Sequence, residues 1–424
     1  MILNFLKEFF EKINKKISIN NTIVNNIISL GFLELIRVLV PIIAIPILIS
    51  KLGIEKYGLI IFAEAMVLYF TFALNFGFDL SATKEISKFS NNLNKISEIV
   101  SSVIIIKLLI FIIAIFIYFF IFVIFNFYEQ ENVLFFLSFL IVFQSIIIPI
   151  WFFQGLQKMQ YLTIVDSISR VSYLIFILFF INTSEDYLLV PIFKFFGLII
   201  SSFFSFYFLF IKEKIRFYIV DFKLLVYHFK LGAPFFISNF SNLINSRTNN
   251  ILLGLYASFS ILAYYDFVYK IIQGLTLTYG TIIKVMYPHI ALSHDKIKAR
   301  LVTYFNIVIS ILCYFMICYL SNKIIFYGFG STTVDTFYLF YLLGLLLPLN
   351  AIEWSLGTLH LAAFNYDKIY SLSSIYSTVV YFIIIIYLFL INNKNLNSLI
   401  LAILIRFAFL GIYRLYFCKK LRLI

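Results

Sequence analysis

The chain has 424 residues, of which 62% are hydrophobic, 20% aromatic and only 12% charged, with a formal net charge of +13. A soluble protein of this length would carry about 25% charged residues, so an ordinary soluble enzyme or nucleic-acid-binding domain is excluded. What remains is an all-α polytopic membrane protein whose excess of lysine and arginine belongs to its loops.

The first stretch, NFLKEFFEKINKKISINN, is too polar for a cleavable leader core. It reads as a short amphipathic helix on the cytoplasmic surface, with Lys7, Lys12, Lys15 and Lys16 toward anionic headgroups. Apolar runs long enough to span a bilayer, about 20 residues each, then fall near 23–50, 58–80, 101–126, 133–153, 161–182, 187–211, 233–256, 261–288, 301–321, 335–357, 368–391 and 397–418. These are twelve predicted spans. With the N-terminus inside, the inner connections hold most of the loop cations, among them Lys84, Lys88, Lys212, Lys214, Arg216, Lys223, Lys296, Lys298, Lys419 and Lys420. The outer connections hold Lys51, Lys56, Lys323 and Lys394. Basic loops stay in the cytoplasm, so both termini are expected there, in a bacterial inner membrane.

The long basic connection 212–232 divides the chain into 1–211 and 233–424, each with six spans. The halves look like repeats. Gly53 and Gly254 follow the first and seventh spans, the two tryptophans Trp151 and Trp354 end the fourth and tenth, and Pro149 and Pro348 precede them. Each pair is separated by about 200 residues. An even number of spans per repeat implies two six-helix bundles related by a pseudo-two-fold axis along the membrane normal, with a substrate site between them. Pro41 and Pro46 in span one, Pro234 at the start of span seven and Pro348 in span ten are candidate kinks for alternating access.

Four arginines, Arg37, Arg170, Arg247 and Arg406, sit near the middle of apolar stretches. Each costs about 2.5–3.5 kcal/mol at mid-depth on insertion scales, so four of them point to a polar cavity of fixed positive charge. The planar guanidinium suits phosphate, which suggests an anionic cargo, with Lys194 as a further cation. Three acid–base pairs share a helix face at spacings of three or four: Glu34 with Arg37, Asp166 with Arg170, and Asp266 with Lys270. Arg247 and Arg406 have no acid close in sequence; Glu64 and Glu353 are candidate partners from other helices. Lys107 and Lys284 lie near inner ends and are expected to snorkel to water. Asn239, Asn242, Asn245 and Asn249 form a polar stripe along span seven suited to sugar hydroxyls or to helix–helix hydrogen bonds. No glycine-rich phosphate loop is present, so the energy is expected from an ion gradient, H+ or Na+, or from downstream consumption of the transported product. Glu34, Glu64 and Asp166 are the candidate ion carriers; Glu64, with no cation near it in sequence, is the one most suited to a proton. Cys313, Cys318 and Cys418 lie in apolar runs without metal-ligand neighbours, and no resident cofactor or metal is expected.

The segments KLGIEKYGLIIFAEAMVLYFTFALNFGFDLSATKEISK (Lys51 to Lys88), PIWFFQGLQKMQYL (Pro149 to Leu162) and NNILLGLYASFSILAYYDFVYKI (Asn249 to Ile271) resemble bacterial polysaccharide repeat-unit flippases. These belong to the multidrug/oligosaccharidyl-lipid/polysaccharide exporter (MOP) superfamily. The resemblance implies a MATE- or lipid-flippase-like fold and a transporter rather than an enzyme. It implies transfer of an undecaprenyl-diphosphate-linked oligosaccharide from the cytoplasmic to the periplasmic leaflet, beside a glycan polymerase and chain-length regulator, for O-antigen, capsule or a related glycan. Nucleic acid is not an expected partner. Many relatives carry an aspartate two residues beyond the span-seven arginine, where this chain has Asn249. Two rival readings are an organic-cation exporter, which would need an acidic cavity, and a polymerase or glycosyltransferase acting on the same lipid-linked sugar, which would need a large outer loop or an acid constellation.

Overall fold

A computed structural model describes residues 21–125, 131–329, 334–392 and 395–424. The amphipathic start expected at Lys7–Lys16 lies outside the described residues. The chain is built of α1 (Asn21–Leu52), α2 (Ile54–Asn75), α3 (Phe78–Lys88), α4 (Leu93–Phe125), α5 (Asn132–Phe139), α6 (Ile150–Gly155), α7 (Met159–Phe180), α8 (Leu189–Phe206), α9 (Phe222–Tyr256), α10 (Phe259–Ser293), α11 (Lys296–Phe329), α12 (Val334–Gly344), α13 (Leu346–Trp354), α14 (Asp367–Leu390) and α15 (Leu396–Lys420). Ten helical segments among the described residues are long and apolar enough to cross a membrane. The other two rods, α9 and α10, have 35 residues each and coincide with predicted spans seven and eight. At 1.5 Å per residue each is roughly 50 Å long, well beyond a bilayer core. The protein is a polytopic helical membrane protein. Its outer surface carries exposed Phe116, Phe120, Phe179, Phe203 and Ile383, which in water would be an aggregation hazard and in lipid are solvated.

Local breaks depart from the predicted rods. Span two is two helices. Phe76 and Gly77 both have positive φ, 38° and 73°, and end α2 before α3 begins. Gly77 also lies against α9, where a Cβ would come within 2.5 Å of the Gly232 carbonyl oxygen. Glycine is therefore needed twice there, for the left-handed backbone and for the close approach. Span four bends at Pro149 between α5 and α6, after a 3-10 stretch Leu140–Phe143. Span ten breaks between α12 and α13 and widens into a π-helical turn, Ser355–Ala362. By contrast, α1 stays helical through Pro41 and Pro46. Pro234 does not start a helix: α9 begins at Phe222, inside the connection 212–232, and Pro234 lies within it.

Buried side chains show how the halves meet. One apolar cluster runs through both, from Leu48, Tyr57, Phe62 and Phe135 to Leu253, Tyr265, Phe340 and Tyr381. It lies toward the end that carries the α1–α2 and α9–α10 turns. There Gly254 packs on the Phe62 ring, and the rings of Phe62 and Phe259 are 5.9 Å apart. Toward the other end the cores separate. One contains Phe78, Ile86, Trp151 and Phe153 of the first half. Two others, around Ile290 and Leu359 and around Leu361 and Cys418, belong to the second. Contact at that end runs through Phe76, which stacks on Phe229 at 4.3 Å and on Phe236 at 4.9 Å.

Candidate functional site

Two cavities lie between and within the halves. The larger, about 1290 Å³, is bounded by α1 and α3 on one side and α10, α13, α14 and α15 on the other. The smaller, about 340 Å³, lies mainly among α1, α2, α7 and α8, with α9 and α10 closing one wall. Pro41 and Lys270 line both.

The N-terminal half organises its charge around Asp166. This carboxylate is 2% exposed on α7. Its Oδ2 accepts from Arg37 Nε at 2.9 Å and from Arg170 Nε at 3.1 Å. Arg37 Nη1 reaches Glu34 Oε1 at 3.1 Å. The i,i+3 and i,i+4 pairs read from sequence are both present, and Asp166 adds the cross-helix bond that joins them into one network. A buried carboxylate needs such partners to offset its lost hydration. Both arginines are one-third exposed and face the cavities.

Glu64 corrects an expectation. It has a cation after all, since Lys194 of α8 forms an ion pair with it across the smaller cavity and lies 5.2 Å from the Tyr173 ring. The ground for singling it out as a proton carrier, an absent cation, is thereby removed. Asp266 and Lys270 pair at 2.6 Å as expected. Tyr57 of α2 donates to the same Asp266 oxygen at 3.0 Å, bonding the two halves. Lys107 is also unlike its reading. It does not snorkel: it is 1% exposed and donates to Asn75 Oδ1 at 3.1 Å and to the Ser145 carbonyl at 2.7 Å. Lys284 is exposed and lines the larger cavity.

In the C-terminal half, sequence reasoning missed Arg414. It is 1% exposed, pairs with Glu353 Oε1 at 2.6 Å, and also donates to the Glu353 carbonyl, Ser373 and Ser374. Glu353 thus forms its ion pair with Arg414, and its charge also acts on Arg406. Arg406 lies 7% exposed at the wall of the larger cavity, with its guanidinium 4.6 Å from the Phe407 ring centre. Its Nε has no hydrogen-bond partner among the described residues. Arg247 lines the smaller cavity, also without an ion pair among the described residues. The two arginines without an acid therefore lie in different cavities, although sequence grouped them with Arg37, Arg170 and Lys194 as one site.

Only part of the asparagine stripe is open to description. The side chains of Asn239, Asn242 and Asn245 lie outside the described residues. Asn249 is 2% exposed. Its Nδ2 donates to the Leu399 carbonyl, and its Oδ1 accepts from Tyr381. Both ends of this amide are taken up in helix packing. Among the described residues no group of three His, Cys, Asp or Glu side chains is placed to hold a metal ion.

The arrangement of helices is shared with solved membrane-transport proteins. The fold resembles lipid II flippase MurJ in its inward closed conformation, with TM-score 0.72 and 18% identity over 93% of this chain and 87% of that one. It also resembles an inward-facing MATE multidrug resistance transporter, with TM-score 0.70 and 12% identity over 90% of this chain and 95% of that one. The chain belongs to the family described as "Polysaccharide biosynthesis protein", which it matches over residues 23–294. It is 29% identical over 161 residues to the Escherichia coli K12 protein named "Putative O-antigen transporter", covering 38% of this chain and 39% of that protein. To the Shigella dysenteriae protein of the same name it is 25% identical over 263 residues, covering 60% of this chain and 65% of that protein. Both matches span less than two thirds of those relatives.

Proposed function

We propose that this protein is a transporter that flips an undecaprenyl-diphosphate-linked oligosaccharide from the cytoplasmic to the periplasmic leaflet of a bacterial inner membrane. The observation that carries this reading is the state of the cavity cations. The acids of the smaller cavity are each engaged, Glu64 by Lys194, Asp166 by Arg170 and Asp266 by Lys270, while Arg247 forms no ion pair among the described residues. In the larger cavity Glu34 and Glu353 are likewise paired, and Arg406 and Lys284 form no ion pair among the described residues. Uncompensated guanidinium groups favour anionic cargo. The same observation weighs against export of organic cations, which would need unpaired carboxylates.

Arg37, Arg170, Lys194, Arg247 and Arg406 supply the positive charge for the headgroup, and the larger cavity receives sugars while the polyprenyl tail stays in lipid. The halves 1–211 and 233–424 rock about the site, hinged by the part of the connection 212–232 that precedes α9. The continuous apolar core near Tyr57 and Leu253, against the divided cores at the other end, supports a state closed outward and divided inward. The inner end is taken as cytoplasmic from the loop lysines and arginines. A downstream polymerase and chain-length regulator would use the flipped unit, and an H+ or Na+ gradient could drive it through Glu34, Glu64 or Asp166. The test is complementation of a strain lacking the gene. Arg247→Ala should abolish surface glycan at unchanged protein level, with partial rescue by Arg247→Lys, which keeps the charge but loses the bidentate fork. Normal surface glycan in the alanine variant would remove Arg247 from the site.

A further inference from the structure

The connection between the halves is held in place, although part of it forms no helix. After α8 a π-helical turn, Tyr207–Lys212, ends the span, and residues 213–221 run without helix to the start of α9. The first turns of α4 take up this strap. Arg216 N donates to Ser97 Oγ at 3.1 Å, Tyr218 N to Ser101 Oγ at 3.2 Å, and the Tyr218 hydroxyl to the Asn94 carbonyl at 3.1 Å. Ile215 joins the buried core of the first half, and Val220 is buried too. The outward side is unlike that of an ordinary loop. Ile219 is 91% exposed, more than any other large apolar side chain among the described residues, and Phe222 is 77% exposed. Lys214, Arg216 and Lys223 are exposed in the same stretch and form no ion pair among the described residues. Of its two acids, Glu213 is taken up by Lys158 at 2.6 Å, and Asp221 is exposed.

Two features of this surface say what covers it. It continues the lipid-facing side chains at the end of the sixth span, Phe206, Phe210 and Ile211, which are exposed as well. It is also fixed to the first turns of α4, a helix of 33 residues and so roughly 50 Å long, which overruns a hydrocarbon core of about 30 Å. The strap therefore lies at headgroup level, with apolar side chains to enter the acyl boundary and cations to meet phosphates. A loop whose lysines and arginines merely stay on one side of the membrane needs neither the exposed apolar side chains nor the hydrogen bonds that fix them. We propose that residues 214–223 form a binding surface for anionic phospholipid, of the phosphatidylglycerol type, in the leaflet at this end of the bundle. Ile219 and Phe222 insert below the headgroups, and Lys214, Arg216 and Lys223 hold the phosphates, against the single opposing charge of Asp221. Zwitterionic phosphatidylcholine offsets its own phosphate and is held less. The surface needs only that the chain spans a membrane, so it stands or falls apart from the flippase reading.

The test places the full chain carrying Ile219→Trp in nanodiscs of phosphatidylcholine with a minority of phosphatidylglycerol. Bromine is carried on the acyl chains of one lipid or the other at constant composition, and the parent chain supplies the background of Trp151 and Trp354. The added fluorescence should be quenched by brominated lipid. Per molecule, brominated phosphatidylglycerol should quench at least about fivefold more than brominated phosphatidylcholine, the enrichment that a single Lys or Arg near an anionic surface confers. Lys214→Gln/Arg216→Gln/Lys223→Gln should remove that preference. Lys84→Gln/Lys88→Gln/Lys419→Gln, which neutralises three exposed cations on other inner connections, should keep it. The parent protein gives a reading without substitution: native mass spectrometry should find phosphatidylglycerol retained in preference to phosphatidylcholine. Added fluorescence that neither lipid quenches overturns the proposal, because the strap then lies in water or under another protein. Equal quenching by the two lipids, or equal retention by the parent protein, overturns it by reducing the strap to an apolar anchor. Loss of the preference in the second triple variant overturns it in favour of the diffuse charge of the whole inner end.

Discussion

Asp166 holds two arginines with one oxygen, and its replacement by asparagine is the sharpest test of how the charge network is built. The amide would keep the shape and could still accept one hydrogen bond, but both guanidinium groups would lose their shared countercharge. Each hydrogen bond to a charged group contributes about 1.5–3 kcal/mol. Breaking a fully buried ion pair by removing one partner costs about 3–5 kcal/mol. Asp166 is 2% exposed, but the Arg37 and Arg170 side chains are each 31% exposed, so water in the cavity screens part of the loss. A net destabilisation of about 2–4 kcal/mol is the result, from the same two contributions discounted for screening. Thermal unfolding of purified protein in detergent, followed by tryptophan fluorescence, should show a Tm lower by several degrees. The double variant Asp166→Asn/Arg170→Gln should be more stable than Asp166→Asn alone, because it removes one of the stranded charges. An unchanged Tm in the single variant, or purely additive losses in the double, would refute the claim that Asp166 is the common counter-ion.

Glu353→Gln should be more damaging, by about 3–5 kcal/mol, since Arg414 is almost wholly buried and 2.6 Å from that carboxylate; the same unfolding assay reads it. Gly77→Ala should lower Tm and glycan export together, because it forces a side chain into a left-handed backbone and against the Gly232 carbonyl. Wild-type export in this variant would show that the α3–α9 approach is dispensable. Reporter fusions after Lys223 and Lys298 should read cytoplasmic, and those at Gly53 and Ser258 periplasmic, as the basic-loop asymmetry requires; inversion at any of the four breaks the topology.

The rods were legible because a bilayer demands about 20 apolar residues per crossing. The predicted span 133–153, for example, lies inside the observed segment Asn132–Gly155. Pairs within one helix were legible as well, since spacings of three and four set Glu34 beside Arg37 and Asp166 beside Arg170. Partners on different helices leave no periodic trace. Arg37 with Asp166, Glu64 with Lys194 and Glu353 with Arg414 all required the packed bundle. Arg414 was passed over because it stands close to Lys419, Lys420 and Arg422 and reads as part of a basic helix end. Its one warning was an acidic residue, Glu353, deep in span ten with no cation near it in sequence. The break at Phe76–Gly77 was hidden because NFGF continues the apolar pattern; glycine there was the only signal. Asn249 looked like part of a sugar-facing stripe, yet helix periodicity cannot tell a face toward a cavity from one toward neighbouring helices, and Tyr381 and Leu399 occupy its amide.

Transfer across a bilayer is the most direct measure of the central claim. The purified chain in liposomes is supplied with a fluorescent undecaprenyl-diphosphate oligosaccharide in both leaflets, and dithionite quenching follows the fraction that becomes exposed. The protein should accelerate exchange well above empty liposomes, and Arg247→Ala should return it to that background. Exchange no faster than in empty liposomes, or exchange indifferent to Arg247, would contradict the account.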